Sequence, residues 1–410
     1  MKNYVIIGNG TAAIGAIEGI RTVDKDSKIT LISEENHHVY GRPLISYYLE
    51  GKTDLTRMKY RPDDFYDKNY CETVFGEKVV SIDANAKTVT LKSGKALPYD
   101  ALCVATGSRP FVPPMEGLDK VEKKFGFMTL DDALSLEKAL TKDSRVLIVG
   151  AGLIGLKCAE GIKDRVKSIT VCDLADRVLS SILDNDCAAI VQKHLEANGI
   201  SFLLKDTAAS FTENEAYMKS GKTVTFDILI LAVGVRANTE LVKDIGGSVN
   251  RGIIVNEKLE TSIHGIYAAG DCTEGYDSSI GAGRVLAILP NAYMQGHAAG
   301  INMAGGSKEH ANAIPMNSIG FFGLHMMTAG AYEGEMTEEI TGNGIKRFFV
   351  KDNVLKGFII IGETDRVGIL TSLIRDKVPL DDVDLNVAKT AASNMIFSQE
   401  ARRKKFGGVV

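Results

Sequence analysis

Paired cysteines, long apolar runs and an excess of either charge are all missing from this 410-residue sequence. The six cysteines are isolated, with no C-x-x-C pair and no metal-ligand spacing, which excludes a disulfide framework and a zinc site. The 48 basic and 52 acidic residues leave a net charge of −4, too little to gather nucleic acid or anionic lipid. We therefore expect no metal, no nucleic-acid partner and no membrane partner.

No apolar stretch reaches the roughly 18 to 20 residues that a membrane span requires. The first residues read directly as a strand, without the charged start and apolar run of a signal peptide, so we expect a cytoplasmic protein. With 45% hydrophobic residues and only 9 prolines, the composition is that of a globular protein and not of a disordered, collagen-like or coiled-coil chain. At roughly 100 to 200 residues per domain, the length predicts two or three domains.

A strand, a glycine turn and a helix are predicted at the start of the chain. The apolar residues 4–7 run into Gly8 and Gly10, and a helical pattern follows. Gly8 allows a tight turn, Gly10 lets backbone amides approach a pyrophosphate, and Ala13 keeps the helix close to the sheet. This pattern is typical of a dinucleotide site.

The next predicted strand, residues 28–33, ends at two acidic residues, Glu34 and Glu35. A carboxylate at this place can accept hydrogen bonds from the ribose hydroxyls of an adenine dinucleotide. The sequence leaves open which of the two glutamates does so.

A second copy of the motif begins at residues 146–149 and continues through Gly150, Gly152 and Gly155. Two complete dinucleotide units in one chain are far more specific than one. The following strand, residues 168–172, ends at Asp173, whose carboxylate can bond the adenosine 2′-hydroxyl and repel a 2′-phosphate.

No arginine directly follows that aspartate, so the sequence favours NADH over NADPH. Arg177, four residues further on, keeps some use of NADPH open, although we interpret it as a solvated arginine at a helix start.

Three further segments have the pattern of buried strands that end at a ligand. Their ends are Ala105, Thr106, Gly107 and Arg109 in the first, Val233 and Gly234 in the second, and Gly270 and Asp271 in the third. Asp271 is placed to bond a polyhydroxy chain such as ribityl. After it, Pro290 and Ala292 open a predicted helix whose N-terminus could stabilise negative charge on a reduced flavin.

In this order the motifs resemble the FAD-dependent pyridine nucleotide oxidoreductases of the glutathione reductase superfamily, over nearly the whole chain. The resemblance implies an α/β fold with two Rossmann-like dinucleotide-binding domains, the NAD domain being inserted in the FAD domain, and a small α+β C-terminal domain. The implied domains are an FAD-binding domain at 1–113 and 245–312, an NAD-binding domain at 114–244, and a C-terminal interface domain at 313–410 with a basic tail.

The resemblance also implies the cofactors: FAD, bound tightly without a covalent bond, and NAD(H) in preference to NADP(H). The implied FAD residues are Gly8, Gly10, Ala13, Glu34, Glu35, Arg42, Val79, Ala105, Thr106, Gly107, Arg109, Gly270, Asp271, Pro290 and Ala292. The implied NAD residues are Gly150, Gly152, Ile154, Gly155, Asp173, Val233 and Gly234.

The redox cysteine that marks several branches of this superfamily is missing. Where the NADH peroxidase, NADH oxidase and coenzyme A disulfide reductase branch has a single cysteine, this sequence has Pro43. The surrounding segment, with Arg42 expected to meet the FAD pyrophosphate, is similar to that of rubredoxin reductases, ferredoxin reductases and the flavin part of nitrite reductases. The resemblance therefore implies single-electron transfer to an outside acceptor.

One departure from the family concerns the ion pair beside flavin N5. Many members of the branch have a lysine and a glutamate where this sequence has Tyr47 and Lys157. We expect Lys157 near flavin N5, with Tyr47 as a candidate partner, and the family argument for tuning by a glutamate–lysine pair does not carry over.

The predicted function is an NADH:acceptor flavoprotein oxidoreductase whose partner is a small iron–sulfur protein or the iron–sulfur subunit of a larger redox enzyme. Rubredoxin, a ferredoxin-like protein and a subunit of a carbon monoxide dehydrogenase all fit. The alternatives are an NADH oxidase or disulfide reductase, and a non-catalytic redox-sensing flavoprotein. The sequence leaves open the acceptor, the direction, the role of residues 381–410, and whether the protein is a monomer or a homodimer.

Overall fold

The computed structural model describes residues 1–342, 344–390, 396–398, 400, 402 and 403. By their contacts these residues form two units. The first contains Met1–Gly41, Leu55–Arg109 and Val235–Pro315, and the second contains Arg42–Asp54, Pro110–Gly234 and Met316–Val410. The basic residues of the expected tail lie within 401–406, and of these positions only 402 and 403 belong to the described part of the chain.

A parallel five-stranded sheet forms the centre of the first unit. Its strands, in spatial order, are Ile266–Ala268, Ala101–Val104, Asn3–Ile7, Lys28–Ser33 and Cys71–Phe75. They read as nearly continuous apolar runs because parallel strands are covered on both faces. The predicted strand at 4–7 and the predicted strand at 28–33 are both present, so the first glycine turn lies at the carboxyl end of its strand.

Helices Thr11–Val23 and Leu289–Met303 of this unit pack against each other through glycines. A methyl group on Gly15 would lie 2.3 Å from the carbonyl oxygen of Tyr293, and one on Gly296 would lie 1.9 Å from that of Ala12. Only glycine permits this approach, because any larger side chain would overlap the facing backbone. The close packing fixes the second helix, which begins with the predicted Pro290, against the first.

Shorter elements complete the first unit. They are the antiparallel strands Val79–Asp83, Thr88–Leu91 and Ala96–Pro98, the three-stranded sheet Ile253–Ile254, Thr273–Asp277 and Ala282–Arg284, and the helices Phe65–Lys68 and Glu240–Lys243. Strand Ser108–Pro110 pairs with Val235–Ala237.

The second unit contains another parallel five-stranded sheet. Its strands, in spatial order, are Ile200–Leu204, Ser168–Asp173, Arg145–Val149, Ile228–Leu231 and Lys124–Phe125. Its helices are Leu44–Leu49, Leu130–Ala139, Leu153–Ile162 and Asn185–Ala197, and a small antiparallel sheet is formed by Ala208–Phe211, Glu215–Met218 and Thr223–Thr225. The second fingerprint therefore has the strand, turn and helix that its sequence predicts.

The end of the chain forms an antiparallel sheet in the same unit. Its strands, in spatial order, are Met316–Phe321, Leu324–Gly330, Val354–Ile361, Gly344–Lys351 and Glu335–Thr341, and helices Gly368–Arg375 and Leu385–Thr390 follow. The turn between strands Gly344–Lys351 and Val354–Ile361 has φ values of 52° and 59° at Asp352 and Asn353. Asparagine and aspartate tolerate this conformation well.

The predicted fold class is confirmed, because two parallel dinucleotide-type sheets are followed by a small α+β region and the second sheet is inserted in the sequence of the first. The exact three-domain boundaries stay a prediction. Among the described helices, none is both long and apolar enough to cross a membrane.

Candidate functional site

In the first glycine turn, Gly8 and Gly10 have different surroundings. Gly8 has a φ of 113°, and a methyl group there would lie 2.1 Å from the carbonyl oxygen of Ala105, so the protein's own backbone requires glycine. Gly10 has an ordinary φ of −97° and caps helix Thr11–Val23 without a side-chain hydrogen bond. A methyl group on Gly10 would meet nothing within 4 Å.

The second turn repeats this division. Gly150 has a φ of 117°, and a methyl group on it would lie 2.2 Å from the carbonyl oxygen of Ala232. A methyl group on Gly155 would lie 2.1 Å from the carbonyl oxygen of Gly150, whereas one on Gly152 would again meet nothing within 4 Å.

Gly10 and Gly152 thus border a space that no atom from elsewhere in the described part of the chain fills, beside a helix N-terminus without a side-chain cap. Free N–H groups and the positive end of the helix dipole attract an anion to such a place. These two turns fit the pyrophosphate groups of FAD and NAD(H), so the residues present are compatible with both cofactors.

The predicted ribose-binding acids have protein partners as well. Glu34 pairs with Lys78 at 3.2 Å, and Glu35 accepts a hydrogen bond of 2.6 Å from the Tyr40 hydroxyl. Asp173 accepts hydrogen bonds from the backbone N–H of Ala151 at 2.7 Å, and from that of Ala175 at 2.8 Å. The Asp173 bond to Ala151 ties the carboxylate to the glycine turn.

Our interpretation of Arg177 as an arginine at a helix start is wrong, although its side chain is 31% exposed. The next helix begins only at Asn185. The guanidinium instead pairs with Asp176 at 2.8 Å and donates to the carbonyl oxygen of Leu183 at 3.0 Å. Because these contacts hold Arg177 in its loop, it is a poor candidate for binding a 2′-phosphate.

Thr106 and Arg109 meet a residue that the sequence did not single out, Asn238. The Thr106 hydroxyl donates to the carbonyl oxygen of Asn238 at 3.0 Å, and the Asn238 amide donates back to that of Thr106 at 2.8 Å. Arg109 donates to the Asn238 side chain at 2.7 Å and pairs with Glu240 at 2.6 Å, which lowers the pKa of Glu240. These bonds hold the strand ends that carry Ala105, Thr106 and Gly107.

The side chain of Gln295 fixes the third segment that is predicted to end at a ligand, the one that ends at Gly270 and Asp271. The side-chain oxygen of Gln295 accepts from the backbone N–H of Gly270 at 2.8 Å and from the Thr273 hydroxyl at 3.1 Å. This places the turn with Asp271 beside helix Leu289–Met303, whose first turn carries Pro290 and the buried Ala292. That helix also begins without a side-chain cap, as a site for negative charge requires.

Five predicted contacts have less distinctive surroundings. Arg42 lies in the second unit and donates to the carbonyl oxygen of Met128 at 2.9 Å. Val79 is 5% exposed within the apolar core of the first unit. In the second unit, Gly234 has a φ of 120° and would carry a methyl group into open space, while Ile154 and Val233 are half-buried. Their roles stay predictions.

The structure brings Lys157 and Tyr47 together. The Lys157 ammonium lies 4.7 Å from the centroid of the Tyr47 ring, and it forms an ion pair with Glu160. Sequence reasoning missed Glu160, although the spacing of three residues along helix Leu153–Ile162 is a known signal for such a pair.

All six cysteines are reduced and buried. Burial raises the pKa of every thiol: to about 12 for Cys71, Cys172 and Cys187, to about 11 for Cys272, and further for Cys103 and Cys158. Because the thiolate is the reactive form, none is suited to attack a disulfide. No group of three histidine, cysteine or acidic side chains that could hold a metal occurs among the described residues.

Residues 2–296 match the family described as pyridine nucleotide-disulphide oxidoreductase. One relative is the assimilatory nitrate reductase electron transfer subunit of Bacillus subtilis, which is 32% identical over 95% of this chain. The match spans only 50% of that longer relative. The NADH-dependent phenylglyoxylate dehydrogenase subunit epsilon of Aromatoleum evansii is 29% identical over 92% of both chains. An NADH oxidase of Methanocaldococcus jannaschii is 35% identical over 73% of this chain and 70% of its own.

Solved structures agree with the fold. The putidaredoxin reductase–putidaredoxin complex contains a chain with a TM-score of 0.88 and 23% identity, covering 96% of this chain and 97% of that one. The NADH:rubredoxin oxidoreductase of Clostridium acetobutylicum has a TM-score of 0.76 and 26% identity, over 93% and 97% of the two chains.

Proposed function

The chain belongs to the pyridine nucleotide-disulphide oxidoreductase family, whose members use FAD and a nicotinamide nucleotide, and we propose that it passes electrons from NADH to an iron–sulfur protein. When bound, FAD would accept a hydride from NADH and release its electrons singly. The protein's task is to bind and orient the two nucleotides and to stabilise the charge that develops on the flavin.

The observation that carries the proposal is the absence of a usable thiol. Pro43 stands where the cysteine-dependent branch has its redox cysteine, and every cysteine of the chain is buried with a raised pKa. Disulfide chemistry needs a thiolate that can attack, so electrons have no cysteine relay by which to leave. Direct transfer from the flavin to an outside acceptor needs no such relay, and we propose that the acceptor is a carrier protein.

The names of the relatives support a carrier or a subunit as the acceptor. The Clostridium relative is named for rubredoxin, the Bacillus relative is an electron transfer subunit, and the Aromatoleum relative is a subunit of a larger dehydrogenase. We propose an acceptor of the same chemistry here: a small iron–sulfur protein, or the iron–sulfur subunit of a redox complex.

The residues of the two turns have distinct proposed roles. Gly10 leaves room for the FAD pyrophosphate, and Gly152 does so for that of NADH. Asp173 orients the adenosine ribose of NADH. The N-terminus of helix Leu289–Met303 and the Asp271 turn hold the flavin and its ribityl chain.

An NADH oxidase is the second candidate, because the relative from Methanocaldococcus jannaschii carries that name at 35% identity. In such an enzyme oxygen, and not a carrier protein, would take the electrons. The buried cysteines argue against the cysteine-dependent form of this activity.

Anaerobic stopped-flow spectroscopy tests the proposal. The FAD-loaded protein is mixed with NADH, and rubredoxin or ferredoxin is then added while the flavin absorbance is followed. Fast bleaching and rapid reoxidation by one carrier support the proposal. Reoxidation by oxygen or a disulfide alone would establish the oxidase or disulfide reductase, and negligible bleaching would leave only a non-catalytic flavoprotein.

Gly152→Ala is the matched control for the two half-reactions. This substitution should slow bleaching by NADH, because it narrows the NADH site. It should leave reoxidation of dithionite-reduced flavin by the carrier unchanged.

A further inference from the structure

Asn9 stands between the two glycines of the first turn, and both polar atoms of its side chain are bonded within the first unit. Its Oδ1 accepts a hydrogen bond of 2.7 Å from the Tyr66 hydroxyl, and its Nδ2 donates to the carbonyl oxygen of His37 at 3.0 Å. Asn9 therefore joins the glycine turn to helix Phe65–Lys68 and to the loop at residues 34–40.

The direction of each hydrogen bond in this network is fixed. The Val39 N–H donates to the Tyr66 hydroxyl oxygen at 3.3 Å, and the Tyr66 hydroxyl donates its own proton to Asn9. A backbone carbonyl only accepts, so the nitrogen of the Asn9 amide is the atom that faces His37. Exchanging the oxygen and nitrogen of the amide would break both of its bonds, so its neighbours determine its orientation.

Aromatic packing holds the Tyr66 ring in place. Tyr66 is 6% exposed, and the rings of His38, Phe65 and Phe75 lie edge-on to it, with centroids at 5.0, 5.5 and 5.7 Å. Aromatic pairs favour this arrangement. Burial raises the pKa of Tyr66 to about 12, so its hydroxyl stays protonated and can donate at neutral pH.

The acid loop, residues 34–40, contains both candidate ribose-binding glutamates. Asn9 contacts this loop at His37, close in sequence to Glu35, and the Tyr40 hydroxyl donates to Glu35 at 2.6 Å within the loop. In a dinucleotide site the glycine turn meets the pyrophosphate and the acid meets the adenosine ribose. Covalent bonds fix the spacing of those two groups in the ligand, so the turn and the acid loop need a matching spacing.

From these contacts we infer that Asn9 and Tyr66 are positioning residues for FAD, which hold the glycine turn and the acid loop at the spacing that its adenosine diphosphate half requires. The inference rests on the proposed function, in which the first turn leaves room for the FAD pyrophosphate. Both side chains act through the backbone of the turn and the loop, and neither needs to touch the cofactor. A site that is ordered beforehand loses less entropy on binding, so the network should slow the release of FAD.

The test measures the rate at which FAD leaves the FAD-loaded full-length protein, with an excess of an FAD-binding apoprotein as the trap. Tyr66→Phe removes the hydroxyl and keeps the ring, so FAD release should become about fivefold faster, the factor that a typical hydrogen bond contributes. Asn9→Ala should speed release by about the same factor or more. In the double variant the Tyr66 substitution should add less than about twofold, because the two side chains act as one unit.

Tyr4→Phe is the matched control. Tyr4 is a fully buried tyrosine of the same unit, and its hydroxyl donates to Asp24 at 2.9 Å, so this substitution also removes one hydroxyl and one hydrogen bond. Asp24 follows the C-terminal end of helix Thr11–Val23, at the opposite end from the glycine turn. Tyr4→Phe should therefore lower the free energy of unfolding but change FAD release by less than about twofold.

The inference is overturned if Tyr66→Phe lowers the free energy of unfolding as Tyr4→Phe does but leaves FAD release unchanged, because Tyr66 would then be purely structural. If Tyr66→Phe does not fold, Asn9→Ala decides alone, and an unchanged release rate refutes the inference.

Failure of the proposed function would look different. Gly10→Ala should speed FAD release, because its methyl group would narrow the space beside the helix N-terminus. If Gly10→Ala leaves release unchanged, FAD does not lie at this turn, and the inference fails together with that site. A failure of electron transfer alone would show as absent bleaching by NADH or absent reoxidation by a carrier, and neither reagent enters the release measurement.

Discussion

Alanine substitutions at Gly152 and at Gly150 should affect different properties, ligand binding and stability respectively, although both residues lie in one turn. Gly152→Ala should weaken the binding of NAD⁺ and leave the free energy of unfolding nearly unchanged. Gly150→Ala should lower the free energy of unfolding. The contrast follows from what a methyl group would meet: open space at Gly152, and the carbonyl oxygen of Ala232 at 2.2 Å for Gly150.

The magnitudes come from the backbone and the overlap. At Gly150 a φ of 117° is strained for alanine, which costs about 1–3 kcal/mol, and relieving the overlap adds about 1–3 kcal/mol. At Gly152 the φ of −83° suits any residue. There alanine lowers the conformational entropy of the unfolded chain relative to glycine, which stabilises the folded protein by about 0.4–1 kcal/mol. This gain offsets the loss that arises because alanine is a poorer helix N-cap than glycine.

The loss of affinity at Gly152 follows from the same space. A methyl group where the pyrophosphate approaches would cost about 1–3 kcal/mol, if it acts as overpacking does in a protein core. At 1.4 kcal/mol per tenfold, this is a rise of about 5- to 150-fold in the Kd for NAD⁺.

Two measurements on the FAD-loaded protein check this: urea unfolding, and calorimetric titration with NAD⁺. The reasoning is refuted if Gly152→Ala binds NAD⁺ within about twofold of the unsubstituted protein, well under the effect derived above. It is equally refuted if that variant loses as much stability as Gly150→Ala.

Three other predictions concern thiols, a buried arginine and acid stability. The native protein should not react with a thiol reagent at mildly alkaline pH, and all six thiols should react in guanidinium chloride; one fast thiol in the native state would contradict the raised pKa values. Arg347 is 9% exposed and pairs with Asp184 and with Glu338 at 2.6 Å each. Replacing it by methionine should lower the free energy of unfolding by about 2–4 kcal/mol. That range is below the usual cost of breaking a fully buried pair, because both acids are about a third exposed; a urea-unfolding loss under about 0.5 kcal/mol would refute it. Hydrogen bonds from Arg145 lower the pKa of Asp227 to about 2. The contribution of Asp227 to the free energy of unfolding is therefore fully present above the unfolded pKa of about 3.9 and is lost as the pH falls toward 2. Asp227→Asn should therefore make the free energy of unfolding depend less on pH over that interval. An unchanged slope of unfolding free energy against pH would count against the Arg145–Asp227 pair.

The fingerprints could be predicted because each is local. Strand, turn and helix lie within a short segment, and Gly8 and Gly150 have their positive φ where the motif requires it. The partners Asn238 and Gln295 could not be predicted, because they come from distant parts of the sequence and only the fold brings them to Thr106 and Gly270.

The segment Arg42–Asp54 shows a second limit. The family resemblance implies that it lies within the FAD domain, yet its contacts assign it to the second unit. A methyl group on Gly161 would lie 2.7 Å from the carbonyl oxygen of Ser46, so helix Leu44–Leu49 packs directly against helix Leu153–Ile162. Sequence order alone does not reveal such packing, because it depends on a single close backbone approach.

The glycines of the two fingerprints distinguish what the fold requires from what a ligand requires. Removing a side chain costs stability through the entropy of the unfolded chain, so a glycine needs a reason. At Gly8, Gly150 and Gly155 the reason lies within the protein, as a carbonyl oxygen 2.1 to 2.2 Å from where a methyl group would be. At Gly10 and Gly152 the described protein atoms supply none within 4 Å. Both positions cap a helix without a side-chain cap hydrogen bond, so we propose that glycine leaves room there for a molecule that brings negative charge close to the backbone.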